Sequence, residues 1–298
     1  IDKLNKGVDI LITTPGRMFD LISQGYLSLH RANTLVLDEA DRMLDLGFYK
    51  DIQDVLKRLP KKRQTLFFSA TINPKIKKLA YSLVNNAIRI QISPKDPVSK
   101  NVNHFVSSIE MDDKRFFLEN LILENNEKKI MVFVRTQVRA ERLVKAMTRV
   151  GIQMLIIHGG KEQKERNQAL KQFREGEVSL LVATDVSARG VDVPGVDIVV
   201  NYDLPEVAEN YVHRIGRTGR GNLKGDAVSF VSKGEMDFLL AIEKFLGKKI
   251  PEVTISKKDY QTVLDLTNEK SLDDLLGQIE FELENETKPR KKKRKKKK

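Results

Sequence analysis

The chain has 298 residues, 40% of them hydrophobic, with 53 Lys and Arg against 41 Asp and Glu for a formal charge of +12. That length can bury a sizeable core and hold two domains. The absence of cysteine excludes disulfides, thiolate catalysis and Cys-based zinc sites. No run of about 18 apolar residues and no signal-peptide pattern is visible, so a cytoplasmic protein is expected.

The charge is unevenly placed. The last 11 residues, KPRKKKRKKKK, contain ten Lys or Arg, and without them the balance is 43 against 41. A block of like charge repels itself and is expected to be disordered, and it binds phosphate backbones without reading sequence. Glu280, Glu282, Glu284 and Glu286 precede it and can fold back on it when no polyanion is near. A solubilising terminus is the plainer reading of the same run. His30, His104, His158 and His213 are far apart in sequence, so a metal held mainly by imidazole is not expected. The chain opens on Ile1 rather than Met, and a longer natural chain is expected.

In chain order, VDILITTPGR (8–17) reads as an apolar strand running into a helix at about 16–24, with Thr14 as its cap and Pro15 in its first turn. TLVLD (34–38) is a short strand, continuous in apolar character as a buried parallel strand would be. Residues 42–59 read as helix broken near Gly47, RQTLFFSAT (63–71) as a strand, and 72–84 as a helix. PKDPVSKN, near 94–101, carries two prolines and reads as a linker. Strands at 102–110, 129–136, 152–160, 179–185 and 196–203 then alternate with helices at 114–123, 137–151 and 161–176, and a last helix is expected at 235–246. Strand-then-helix order points to α/β domains, each a parallel sheet with helices on both faces. The expected organisation is a first domain over 1–93, a linker over 94–101, a second domain over 102–232, an extension over 233–287 and the basic tail over 288–298.

The βα junctions are polar: TTPGR, DEAD, SAT, VRT, HGG, ATDVSARG and the late HRIGRTGR. In open parallel sheets, ligands sit at these carboxyl ends of strands. Paired carboxylates such as Asp38 and Glu39 can organise Mg²⁺ and aim a water at a terminal phosphate. Helix starts with exposed N–H groups hold phosphates. Arg214, Arg217 and Arg220 recur every three residues and would share a helix face. They could grip phosphate, though a solvated charged face explains the spacing equally well, and His213 alone reads as a structural residue.

Taken together, DEAD followed by SAT, ARGVD and HRIGRTGR resembles the DEAD-box family of ATP-dependent RNA helicases over roughly residues 1–232. The resemblance implies two RecA-like domains in tandem, the first incomplete here. It implies ATP and Mg²⁺ as cofactors and RNA as a largely sequence-independent partner. By the same resemblance Asp38 holds Mg²⁺ through water and Glu39 positions the attacking water. Asp41, Ser69, Thr71 and His213 form the network that links nucleotide state to RNA grip. Arg217 and Arg220 look like the arginines that reach the γ-phosphate, and Asp192 like a contact to the nucleotide ribose. Thr14, Pro15, Gly16 and Arg17 match the RNA-backbone motif of the first domain. Arg135, Thr136, Gly160, Gln163, Arg166, Thr184, Arg189 and Gly190 match those of the second. The family's phosphate cradle has the form GxxxxGK[ST], which occurs nowhere in these 298 residues. The chain as given is therefore expected to lack ATPase and unwinding activity. Two other readings stay open: an RNA-binding module without catalysis, and a helicase-like ATPase that acts on DNA or serves as a scaffold.

Overall fold

The computed structural model describes residues 1–45, 47–69, 74–84, 86–90, 97–188, 193–221 and 223–265. Two compact units divide at Ile92 and Ser93, and each is described by itself. The basic tail, residues 94–96 of the expected linker, and 266–287 of the expected extension lie outside the described residues.

In the first unit, α1 (Asp2–Asn5) and α2 (Pro15–Ser23) precede β1 (Thr34–Leu37), α3 (Ala40–Asp45), α4 (Tyr49–Arg58), β2 (Gln64–Phe67) and α5 (Pro74–Leu83). Pro15 starts α2, where its missing N–H costs nothing. β1 and β2 pair in parallel, with Leu37 opposite Phe67. Met18 of α2 packs with Leu29, and with Val55 of α4 and Leu59 beyond it. Leu37 packs with Ile52 of α4 and with Leu79 and Leu83 of α5.

The expected strand at 8–13 is not formed. Those residues take no regular structure, and Ile10 and Ile12 are 81% and 93% exposed. An apolar stretch becomes a strand only when a neighbour takes up its N–H and C=O groups. Among the described residues, β1 and β2 bond only each other.

The second unit continues with β3 (Val102–Ser108), α6 (Lys114–Glu124), β4 (Ile130–Phe133), α7 (Gln137–Arg149), β5 (Leu155–Ile157) and α8 (Gln163–Glu175). It ends with β6 (Leu180–Ala183), α9 (Asp185–Ala188), β7 (Ile198–Asn201), α10 (Ala208–Ile215), β8 (Gly225–Val231), a single 3₁₀ turn over Lys233–Glu235 and α11 (Met236–Leu246). The six strands form one all-parallel sheet in the order β3-β8-β7-β4-β6-β5.

Alternation along the strands sorts side chains to the two faces. Ile130, Val132, Leu180, Val182, Ile198 and Val200 meet Phe117 and Leu118 of α6 and Leu143 and Met147 of α7. Met131, Phe133, Leu181, Ala183 and Val199 meet Phe173 of α8, Tyr211 of α10 and Ile242 of α11. This core runs past residue 232 through Leu246 to Ile250. Residues 251–253 then add along the free edge of β3, where Val106 N–H donates to Pro251 O at 3.0 Å and Val253 N–H to Val106 O at 2.9 Å.

Candidate nucleotide and RNA site

In the first unit the acidic cluster begins where β1 ends. Asp38 is exposed, Glu39 half-buried and Asp41 buried. Glu39 takes φ +50°, a left-handed conformation that costs a non-glycine residue on the order of 1–3 kcal/mol. Its N–H donates to Asp38 Oδ1 at 2.9 Å. Ala40 N–H donates to Phe68 O at 3.1 Å, which sets the acidic turn directly beside Ser69. The register of β1 on β2 thus brings two motifs 30 residues apart onto one strand end. One exposed carboxylate suits a hydrated divalent cation, since Mg²⁺ keeps several of its waters. Thr14, Pro15, Gly16 and Arg17 open α2, and Arg17 pairs with Asp20 of the same helix.

In the second unit three motif loops leave the carboxyl ends of the adjacent strands β4, β6 and β5. Thr136 caps α7, its hydroxyl accepting from Arg139 N–H at 3.2 Å. Arg135 donates its N–H to Asp203 at 3.0 Å and a guanidinium N–H to Glu235 at 2.9 Å, and lies 4.9 Å from the Phe238 ring. Thr184 is buried and caps the short α9 through its carbonyl, which accepts from Ser187 and Ala188. Gly160 sits in a tight turn before α8. Gln163 is exposed at the start of that helix and accepts from Arg166 at 3.2 Å, while Arg166 Nε is buried without a hydrogen-bond acceptor.

The three arginines of HRIGRTGR do not share a helix face. α10 ends at Ile215, and Arg214 alone lies inside it, 1% exposed. Arg214 grips Asp185 with two bonds of 2.6 and 2.8 Å, reaches Asn201 Oδ1 at 3.2 Å and Asp203 O at 2.6 Å, and covers the Phe133 ring at 5.2 Å. It is a structural pin. Arg217 and Arg220 follow in the turn, each folding back to a carbonyl four residues earlier, at 3.3 Å to His213 and 3.2 Å to Gly216. Thr218 between them anchors the turn by bonding Val196 O at 2.6 Å and Asp197 O at 3.0 Å. His213, Arg214 and Arg217 line a small cleft with Phe133, Asp185 and Ala188. Thr71, Arg189, Gly190 and Asp192 lie outside the described residues.

A buried polar hub behind Arg135 has no counterpart in the sequence reading. Lys114 Nζ, wholly buried, spends its three protons on Tyr202 O (2.7 Å), Phe230 O (2.9 Å) and Glu235 (2.5 Å). Burial pushes this ammonium below the ordinary lysine value, and Glu235 opposes the shift. Glu235 also takes Leu204 N–H and the Ser232 N–H and hydroxyl. Lys114 stands in the charged run DDKR and Glu235 follows KG, so neither is marked locally as buried.

Two family models match the chain: the DEAD/DEAH box helicase model over residues 1–79 and the helicase conserved C-terminal domain over 113–222. The ATP-dependent RNA helicase RhlB of Shewanella amazonensis is 41% identical over 265 residues, covering 88% of this chain and 60% of the relative. The structure of S. cerevisiae Dbp5 bound to RNA and ADP BeF3 superposes with TM-score 0.75 at 33% identity, over 87% of this chain and 68% of that one. DEAD-box helicase Mss116 bound to ssRNA and UDP-BeF gives TM-score 0.72 at 29% identity, over 85% and 55%. The parallel α/β units with polar strand ends define a RecA-like helicase class. Within it, the chain belongs to the DEAD-box ATP-dependent RNA helicase family. It spans about 60% of the length of the curated relatives it matches.

Proposed function

We propose that the whole protein is an ATP-dependent RNA helicase that remodels short RNA duplexes while hydrolysing ATP to ADP and phosphate. The observation that carries this reading is the acidic turn at the end of β1, bonded to the end of β2 and thereby set beside Ser69. Glu39 positions the attacking water, and Asp38 is the residue that would hold Mg²⁺ through water. The cation supplies positive charge to the phosphates. Arg217 and Arg220 neutralise charge that develops on the transferred phosphoryl group, and Asp192 contacts the ribose. Asp41, Ser69, Thr71 and His213 couple nucleotide state to RNA grip. RNA is held through its backbone by Thr14, Pro15, Gly16, Arg17, Arg135, Thr136, Gly160, Gln163, Arg166, Thr184, Arg189 and Gly190. Backbone contacts of this kind position RNA without specifying sequence. The lysine-rich tail adds salt-sensitive, nonspecific contacts.

For the 298 residues taken alone we propose RNA binding without turnover, because no stretch of the form GxxxxGK[ST] is among them. The test uses both proteins. Full-length protein is expected to show ATP hydrolysis stimulated by RNA and not by DNA. Glu39→Gln should abolish it, and Arg217→Ala should lower it about 10³-fold or more. DNA stimulation equal to RNA would favour the DNA-directed ATPase. RNA-stimulated hydrolysis by residues 1–298, lost on Glu39→Gln, would overturn the reading without turnover.

A further inference from the structure

The turn between β5 and α8 is organised by one imidazole. His158 is 5% exposed. Its carbonyl accepts Lys161 N–H at 3.1 Å, closing the turn, and its Nδ1 accepts Gly160 N–H at 3.1 Å. Nδ1 therefore carries no proton, and the neutral ring holds its hydrogen on Nε2. That nitrogen donates to Glu141 on α7 at 3.0 Å, and Glu141 also receives Lys161 Nζ at 3.0 Å. Hydrogen bonds from His158 and Lys161 hold Glu141 below the usual carboxylate value. On the other side Gln137 closes the turn so tightly that a Cβ on Gly160 would lie 2.7 Å from its Oε1 and 3.2 Å from the His158 ring. Both ring nitrogens are thus committed, in opposite senses.

We propose that His158 is a positioning residue for RNA binding: it locks the 158–161 turn onto α7 and so aims Gln163 and Arg166 at the RNA backbone. The inference rests on reading this turn as an RNA contact.

The two amide substitutions separate the roles. In His158→Asn the side-chain oxygen stands near Nδ1 and can accept from Gly160, while the link to Glu141 is lost. In His158→Gln the amide nitrogen stands near Nε2 and keeps that link, while the acceptor for Gly160 is lost. The experiment measures binding of a short labelled single-stranded RNA to full-length protein, and hydrogen exchange of the 158–164 segment without RNA. His158→Gln should speed exchange at Gly160 and weaken RNA about fivefold, the factor for one hydrogen bond of about 1 kcal/mol. His158→Asn should stay within about twofold of wild type on both readouts. Equal behaviour of the two variants overturns the proposal. Arg166→Ala tells the two layers apart. Weaker RNA binding in Arg166→Ala with none in His158→Gln rejects the role of His158 alone. No change in either, with exchange at Gly160 altered, rejects the turn as an RNA contact.

Discussion

Replacing Glu235 by alanine removes the centre of the buried hub behind Arg135. The wild-type carboxylate accepts from Lys114, Arg135, Leu204 N–H and the N–H and hydroxyl of Ser232. Without it the Lys114 ammonium keeps two carbonyls at 2.7 and 2.9 Å but loses its paired carboxylate, at zero exposure. Leaving a buried charge uncompensated costs about 3–5 kcal/mol, and each orphaned buried N–H about 1–3 kcal/mol. These costs share partners and do not add fully, so about 5 kcal/mol is expected, a large share of the 5–15 kcal/mol that holds an ordinary domain folded. The transition of the second unit should fall by about 10–20 °C at 2–4 °C per kcal/mol. Lys114→Met is the control. It fills the same space without a charge and leaves Glu235 with Arg135 and its N–H donors, so it should cost only about 1–3 kcal/mol. Urea unfolding, followed by hydrogen exchange in β7 and β8, gives both values. If the two substitutions cost the same, or if Glu235→Ala costs under about 1 kcal/mol, the carboxylate is not what compensates Lys114, and the hub argument fails.

Gly225→Ala should destabilise the second unit by about 2–4 kcal/mol. Its Cβ would fall 1.8 Å from Thr218 Oγ1 and 2.7 Å from Gly219 N; in the full-length protein the displaced turn should also lower ATP hydrolysis, and unchanged melting would contradict the packing. Arg214→Lys keeps the charge but loses the two-pronged grip on Asp185, so a stability loss of about 2 kcal/mol or more is expected; a variant as stable as wild type would mark the guanidinium geometry as dispensable. Burial raises Tyr202 to about 12 and raises Tyr211 as well. Above about pH 10 the unfolded chain ionises these phenols and the folded chain does not, so stability falls as pH climbs from about 10 towards 12. Absorbance at alkaline pH should show Tyr202 ionising only with unfolding, and an alkaline midpoint unmoved by Tyr202→Phe would contradict the assignment.

Much was legible from local pattern alone. β4, β6 and β7 are short, almost wholly apolar runs, as strands covered on both faces tend to be. Gly151 and Gly176 mark the ends of α7 and α8. The family itself could be read from DEAD, SAT, ARGVD and HRIGRTGR taken together and in order. Other features depend on what lies opposite. β8, GDAVSFV, mixes polar and apolar residues and was not distinguished in the sequence, yet it lies inside the sheet between β3 and β7. Residues 8–13 look like a strand and are not one, because a strand is defined by a partner as well as by its own pattern.

The same division holds at the site. Sequence alone determined the order of the βα junctions and the chemistry each carries: carboxylates at 38–41, arginines at 214–220, a histidine before two glycines at 158–160. Equal spacing made Arg214, Arg217 and Arg220 equivalent on the page. Only the tertiary structure separated them, because Asp185 arrives from 29 residues away to bury the first, while α10 ends before the other two. Lys114 and Glu235, 121 residues apart, show no relation along the chain. Local propensity acts over a few residues and can be read in order. The compensation of a buried charge is decided by whatever the folded chain brings within about 3 Å of it, and no periodicity records that.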